Sequence, residues 1–270
     1  MSKRIVESYR RRLATEEGWV LKRGAGLRVA LCYPNVYGVG MANLGFQSVY
    51  ELFNNIPEAS CERVFLPDDQ ELKEYERAGT PLLSFESQTP VRDFDVVAFS
   101  ISFETDYLNM ARMLKMSGVP VWSKDRTHHD PVVVMGGAAS FLNPEPIAEF
   151  TDVVAVGEGE ILVPKLADLI FENAEEGGTK EDLLLKLARV GRGFYVPSLY
   201  EVTYNADGTV AAYAPKEEGV PAKVGRMVAA ENPKEGSLRR AMRRGDADIV
   251  EQLKSTEVFA PSTIIWAPEA

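Results

Sequence analysis

Four short turns carry the residue types best suited to holding a ligand: Pro34-Asn35-Val36-Tyr37-Gly38-Val39-Gly40, Ser100-Ile101-Ser102, Gly136-Gly137 and Gly157-Glu158-Gly159-Glu160. Each ends or follows a short apolar run, namely LRVALCY, DVVAFSI, PVVVM and DVVAV. Paired glycines after a buried strand let the backbone approach a large ligand closely, and serine hydroxyls supply hydrogen bonds with little bulk. Taken singly, each is also an ordinary tight turn. Four on one edge read as a binding edge, because ligands of open α/β sheets sit outside the carboxyl ends of the strands.

Several other chemistries lack their residues. Gly38-Val39-Gly40 is followed by its next glycine only at Gly45, which misses the G-x-G-x-x-G spacing, and Asp68 sits too late for a ribose-binding carboxylate. No GxxxxGK[ST] phosphate loop is present. Glu104, Glu158 and Glu160 fall near expected helix starts, where they complement the helix dipole. Tyr107, Phe103 and Trp122 are expected in the core rather than against a ligand. His128 and His129, the two histidines, lie in a charged loop and read as surface residues. Cys32 and Cys61 form no CxxC or CxxxCxxC, so these residues supply no iron–sulfur or structural zinc site. No residue is assigned a catalytic or metal-binding role.

The elements that must position the four turns follow from the apolar pattern. At 270 residues, with 45% hydrophobic and 26% charged residues, the chain has globular composition and room for one large domain, or one ordinary domain plus a smaller appendage. Strands are expected at 27–33, 63–66, 95–101, 131–135 and 152–156, with helices between them at 41–55, 68–77, after 101 and after 156; 81–85 is a short strand or a crossing. In the first helix Val49, Leu52, Phe53 and Ile56 recur at i, i+3, i+4 and i+7. Short apolar runs alternating with helical periods indicate an α/β domain over 27–175, its parallel sheet covered by helices on both faces. Residues 176–225 form a small α+β extension, with a helix at 181–190 and short strands around the turn Asn205-Ala206-Asp207-Gly208. In 226–270 a helix over 236–254 and a strand-like run at 263–266 are expected.

Formal charge is −10, unevenly spread. Residues 1–28 hold eight Lys/Arg against three Glu, a net +5 that leaves −15 for the rest. The acidic body argues against nucleic-acid binding. The basic arm, 1–26, reads foremost as a helix lying on its own acidic body, and alternatively as a contact for a polyanion or an acidic partner. No apolar run reaches bilayer length and the first residues are charged, so a cytoplasmic location is expected.

The set of turns resembles the cobalamin-binding-like amino-terminal domain of radical S-adenosylmethionine (SAM) proteins, in an uncharacterised branch of that family. The resemblance is carried by LRVALCYPNVYGVG with Met41-Ala42-Asn43-Leu44-Gly45, by Phe99-Ser100-Ile101-Ser102-Phe103-Glu104, by Val134-Met135-Gly136-Gly137-Ala138, and by the run from Asp152 to Glu160. It covers about 27–175, and 219–224 looks like the family's linker toward its catalytic barrel. It implies a flavodoxin-like (Rossmann-like) sheet holding cobalamin at its strand ends. Asn35, Tyr37 and Gly38 would line the first loop, Ser100 and Ser102 the middle, and Gly136, Gly137, Gly157 and Glu158 the far side.

Two departures from the family pattern matter. The lower-ligand signature DxHxxG is absent from the turn after the first strand. The cluster-binding CxxxCxxC is absent as well, so the 4Fe-4S cluster and SAM are expected only in a full-length family member, and this chain alone should not cleave SAM. Residues 266–270 look like a piece from deep in the barrel, or match it by chance. The resemblance therefore implies a cofactor module working with a radical SAM barrel, in cis or in trans. The rival readings are a ligand-free interaction module that packs on such a barrel, and a nucleotide- or flavin-binding protein.

Overall fold

The computed structural model describes residues 2–228. In chain order its elements are α1 (Lys3–Leu13), β1 (Leu27–Tyr33), α2 (Tyr37–Met41), α3 (Leu44–Asn54), β2 (Ala59–Phe65), α4 (Asp69–Ala78), β3 (Val96–Ser100), α5 (Asp106–Ser117), β4 (Val132–Gly136), α6 (Ala139–Leu142), β5 (Val153–Ala155), α7 (Gly159–Glu175), α8 (Lys180–Arg189), β6 (Phe194–Tyr195), β7 (Tyr200–Tyr204) and β8 (Val210–Pro215). The expected helix at 236–254 and strand-like run at 263–266 lie outside the described residues.

The main sheet has the order β2-β1-β3-β4-β5-β6, the first five strands parallel and β6 antiparallel. Order 2-1-3-4-5 is the flavodoxin-like, doubly wound arrangement, with its switch point between β1 and β3. The expected α/β fold and its small α+β appendage are therefore present. The five expected strands become six, because Phe194 and Tyr195 pair with Ala155 and Val154 instead of joining the hairpin. Only β7 and β8 form the separate two-stranded sheet.

Local boundaries depart from expectation for readable reasons. The helix expected over 41–55 is two helices, since Asn43 accepts a hydrogen bond from the Phe46 amide (2.9 Å) and caps a fresh start at Leu44. Strand β2 begins at Ala59, four residues before the apolar signal at 63–66, because Ser60, Glu62 and Arg63 are buried with polar partners. Residues 81–85 are a crossing with one bridge, Leu83 to Pro90, and the Phe85 amide donates to the Arg63 carbonyl (2.7 Å). That crossing covers the exposed edge of β2.

The basic arm packs on the fold. Ile5, Tyr9 and Leu13, at i, i+4 and i+8, are buried, and Arg12 pairs with Glu71 of α4 at 3.0 Å. Phe103 and Trp122, expected in the core, are 66% and 42% exposed. Phe103 sits in the loop between β3 and α5, where no second layer covers it.

Candidate functional site

At the carboxyl end of the sheet a cavity of about 420 Å³ opens between the strands and helices α3 and α7. Register builds its floor. Leu31 pairs with Ala98, Ala98 with Val134, and Ser100 with Gly136, so one row of inward side chains crosses three strands. Ala98, Gly136 and Ala155 are small, and that smallness leaves the volume; a Cβ built on Gly136 would lie 3.8 Å from the Ala155 Cβ. Above them Val49 and Leu52 of α3 face Leu162, Val163 and Leu166 of α7. Gly159 permits that roof, since its Cβ would already touch Leu52 Cδ1 and Val49 Cγ2 at 3.4 Å.

The mouth is polar on one side. Ser102 Oγ, Tyr33 Oη and the Asn43 side-chain nitrogen lie 3.3–3.4 Å from one another, joining the loops after β1 and β3. Asp106, buried at the start of α5, accepts from the Phe103 amide at 3.2 Å and shapes the same loop. Desolvation raises its carboxyl pKa, opposed by backbone hydrogen bonds from Phe103 and Ser102.

Two glycines are sterically obligatory. Gly137 has φ +105°, and a Cβ there would collide with the Ile101 carbonyl oxygen. Gly157 is pressed by the Met227 carbonyl oxygen, while the Glu158 amide donates to that oxygen (2.9 Å) and the Met227 amide to Val156 (3.0 Å). The segment around Met227 thus lies along the end of β5.

Of the residues singled out in the sequence, Ser100, Ser102, Gly136, Gly137 and Gly157 line this cavity together. Asn35, Tyr37, Gly38 and Glu158 do not. Asn35 turns its side-chain oxygen back onto the Val36 amide (2.8 Å). Tyr37 points into the core, stacked on Phe85 at 5.2 Å between ring centres, and donates to Glu16 at 2.6 Å. Gly38 sits in α2 with open space around it. Glu158 occupies the N-cap position of α7 and lies 3.9 Å from Arg226.

Sequence reasoning missed Asn43, Ala98 and Ala155. The two alanines could have been found, since each lies two residues before a flagged turn residue, on the same strand face. His128 and His129 are exposed on the loop leading into β4, at the amino rather than the carboxyl end of that strand. Cys32 and Cys61 are buried free thiols, and burial raises both pKa values, which makes them poor thiolate ligands. Among the described residues no group of three or more His, Cys, Asp or Glu could hold a metal ion. Nor is any helix among them long and apolar enough to cross a membrane.

Comparison with known proteins adds two findings. A family model described as "Radical SAM proteins, N-terminal" matches residues 45–197, more than half of the chain. The chain is also similar to Uncharacterized protein MJ0966 of Methanocaldococcus jannaschii, at 26% identity over 132 residues, which are 49% of this chain and 24% of that protein. The match thus spans about a quarter of the length of that curated relative.

Proposed function

Because the chain belongs to the family of radical SAM protein N-terminal domains, we propose that it is a cofactor module holding a corrinoid for a radical SAM catalytic barrel. The observation that carries the reading is the cavity of about 420 Å³ at the carboxyl end of the sheet, beside the switch point. Its volume suits an appended arm of a corrinoid, the larger ring lying across the surrounding loops. Gly136, Gly137 and Gly157 would let the ring approach backbone, and Ser100, Ser102 and Asn43 would supply polar contacts. When bound, a corrinoid supplies carbon–cobalt chemistry, such as methyl transfer. No histidine lies at this end of the sheet, so the reading assigns the cobalt no lower ligand from the described residues.

The 4Fe-4S cluster and SAM belong to full-length members of the family, since the sequence here contains no CxxxCxxC. Their barrel is the proposed partner, in cis or in trans. Val39, Leu44, Phe103, Leu108 and Leu142 stand 46–83% exposed on segments that follow β1, β3 and β4. An apolar rim of this kind around a site suits an apolar partner face that closes over it. The same rim favours the second reading, a ligand-free module that packs on a barrel. We place the protein in the cytoplasm as part of the proposal.

Titration of the 270-residue chain with hydroxocobalamin, followed by corrin absorbance and equilibrium dialysis, separates the two. Saturable binding weakened by a bulky replacement at Gly136 supports the corrinoid module. Absence of binding leaves the interaction module.

A further inference from the structure

A second cleft, of about 580 Å³, shares no lining residue with the first. It lies between the amino-terminal segment and the Glu86–Thr89 stretch that covers β2. At its floor is Glu62, 3% exposed. All three donors to this carboxylate, Ser84 Oγ (2.6 Å), the Ser87 amide (3.0 Å) and Ser87 Oγ (2.6 Å), converge on Oε2. Among the described residues nothing donates to Oε1, a free acceptor on a buried side chain that lines the cleft. Ser87 Oγ lies 2.7 Å from Thr89 Oγ1, extending the hydroxyl wall. Gln88, beside it, holds φ +55°, the one non-glycine residue with positive φ among those described, and accepts from Arg10 Nε at 3.3 Å. Backbone held in this region needs local support and tends to mark ligand sites.

The opposite wall is cationic and aromatic. Arg23 is exposed and has no partner among the described residues, whereas Arg28, at the start of β1, lines the cleft with its guanidinium over the Phe94 ring (4.5 Å) and its Nη1 donating to the Asp93 carbonyl (3.1 Å). Trp19 lines the same wall without a ring partner among the described residues. A buried acceptor, an unpaired guanidinium and an indole without a ring partner match three parts of one ligand class. We infer that this cleft binds a ribonucleoside phosphate: ribose hydroxyls donate to Glu62 Oε1, the phosphate pairs with Arg23, and the base stacks on Trp19. The cleft volume lies within the range of small-molecule sites.

The test is equilibrium dialysis of the full chain against adenosine 5′-monophosphate, its 2′-deoxy analogue and adenosine, with Arg23→Glu and Glu62→Gln variants. Saturable binding of the monophosphate is expected, weakened about tenfold or more by loss of the phosphate, of the 2′-hydroxyl or of the Arg23 charge. Arg23→Glu changes an exposed side chain, so it remains informative if Glu62→Gln fails to fold. Hydroxocobalamin binding by Arg23→Glu should match the parent, which keeps the two sites separable. Absence of saturable binding to the folded chain overturns the inference. So does equal affinity for the deoxy analogue together with indifference to Arg23→Glu, or competition between the nucleotide and hydroxocobalamin.

Discussion

Arg63 of β2 and Glu16 of the amino-terminal segment form an ion pair with both side chains fully buried, Nη2 to Oε2 at 2.7 Å. Glu86 closes the other side, its Oε1 2.5 Å from Arg63 Nε and its Oε2 accepting from the Arg63 amide at 2.7 Å. Tyr37 donates to the remaining oxygen of Glu16, and the Tyr50 and Phe85 rings flank the guanidinium at 5.2 Å. The arm is thereby tied to the sheet through a satisfied polar centre inside an aromatic core. Removing one partner of such a pair leaves a buried charge uncompensated. Glu16→Ala should therefore lower the unfolding free energy by about 3–5 kcal/mol. Urea titration measures this, and an unchanged midpoint would contradict the role given to the pair.

The same centre makes stability pH-dependent. Desolvation pushes the Glu86 carboxyl up from its usual 4.5 to about 7, against the opposing pull of Arg63. A carboxyl whose pKa is higher folded than unfolded binds its proton more tightly in the folded state. Its contribution is complete below about 4.5 and is lost as pH rises through about 7. Between these values the wild type should lose stability relative to Glu86→Gln, which cannot titrate. Urea midpoints of both proteins at the two ends of the window check the sign; parallel profiles would refute it.

Gly137 and Gly38 look alike in sequence and should respond oppositely to alanine. At Gly137 a Cβ meets the Ile101 carbonyl at a positive φ, and at Gly38 it meets nothing. Gly137→Ala should cost roughly 1–3 kcal/mol and weaken hydroxocobalamin binding. Gly38→Ala, within α2, should be neutral or slightly stabilising. Thermal melts alongside dialysis test the contrast, and equal effects would refute the assignment of the cavity.

Tyr37→Phe separates core from site. The hydroxyl serves Glu16 and lies outside the cavity. Its loss should cost about 1–3 kcal/mol, the penalty of a buried carboxylate left short of a donor. Corrinoid affinity should not change; a fall in affinity at unchanged stability would return Tyr37 to the site.

The apolar rim yields a surface prediction. Replacing Phe103, Leu108 and Leu142 with serine should raise solubility while shifting stability by no more than about 0.5 kcal/mol per site. Pull-down with a radical SAM barrel should fail for the triple variant. Retained capture would move the docking face elsewhere.

Parallel strands buried on both faces appear in sequence as continuous apolar runs, which is why β1, β3, β4 and β5 could be read directly. Strand β2 could be read only in part, because Glu62 and Arg63 interrupt its apolar run and become compatible with burial only through Ser84, Ser87, Glu16 and Glu86. Those partners lie 22 to 47 residues away along the chain. Half of the candidate site was legible for the same local reason: Ser100, Ser102, Gly136, Gly137 and Gly157 end strands that announce themselves. The other half depends on register. Ala98, paired with Val134, and Ala155, beside Gly136, matter because the sheet sets them beneath two helices; strand alternation points to both, but only the assembled sheet shows that their smallness opens a cavity.

The amino-acid sequence by itself determined the alternation of strands and helices, the turns that end the strands, and the absence of cluster-binding cysteines. All three are properties of neighbouring residues: hydrophobic period, backbone freedom and thiol spacing. Tertiary structure decided which turn residues share a cavity, that Tyr37 belongs to the core, and that Arg63 is buried between two carboxylates. These depend on groups distant in the chain converging, where burial and pairing act together and neither is visible in a local pattern.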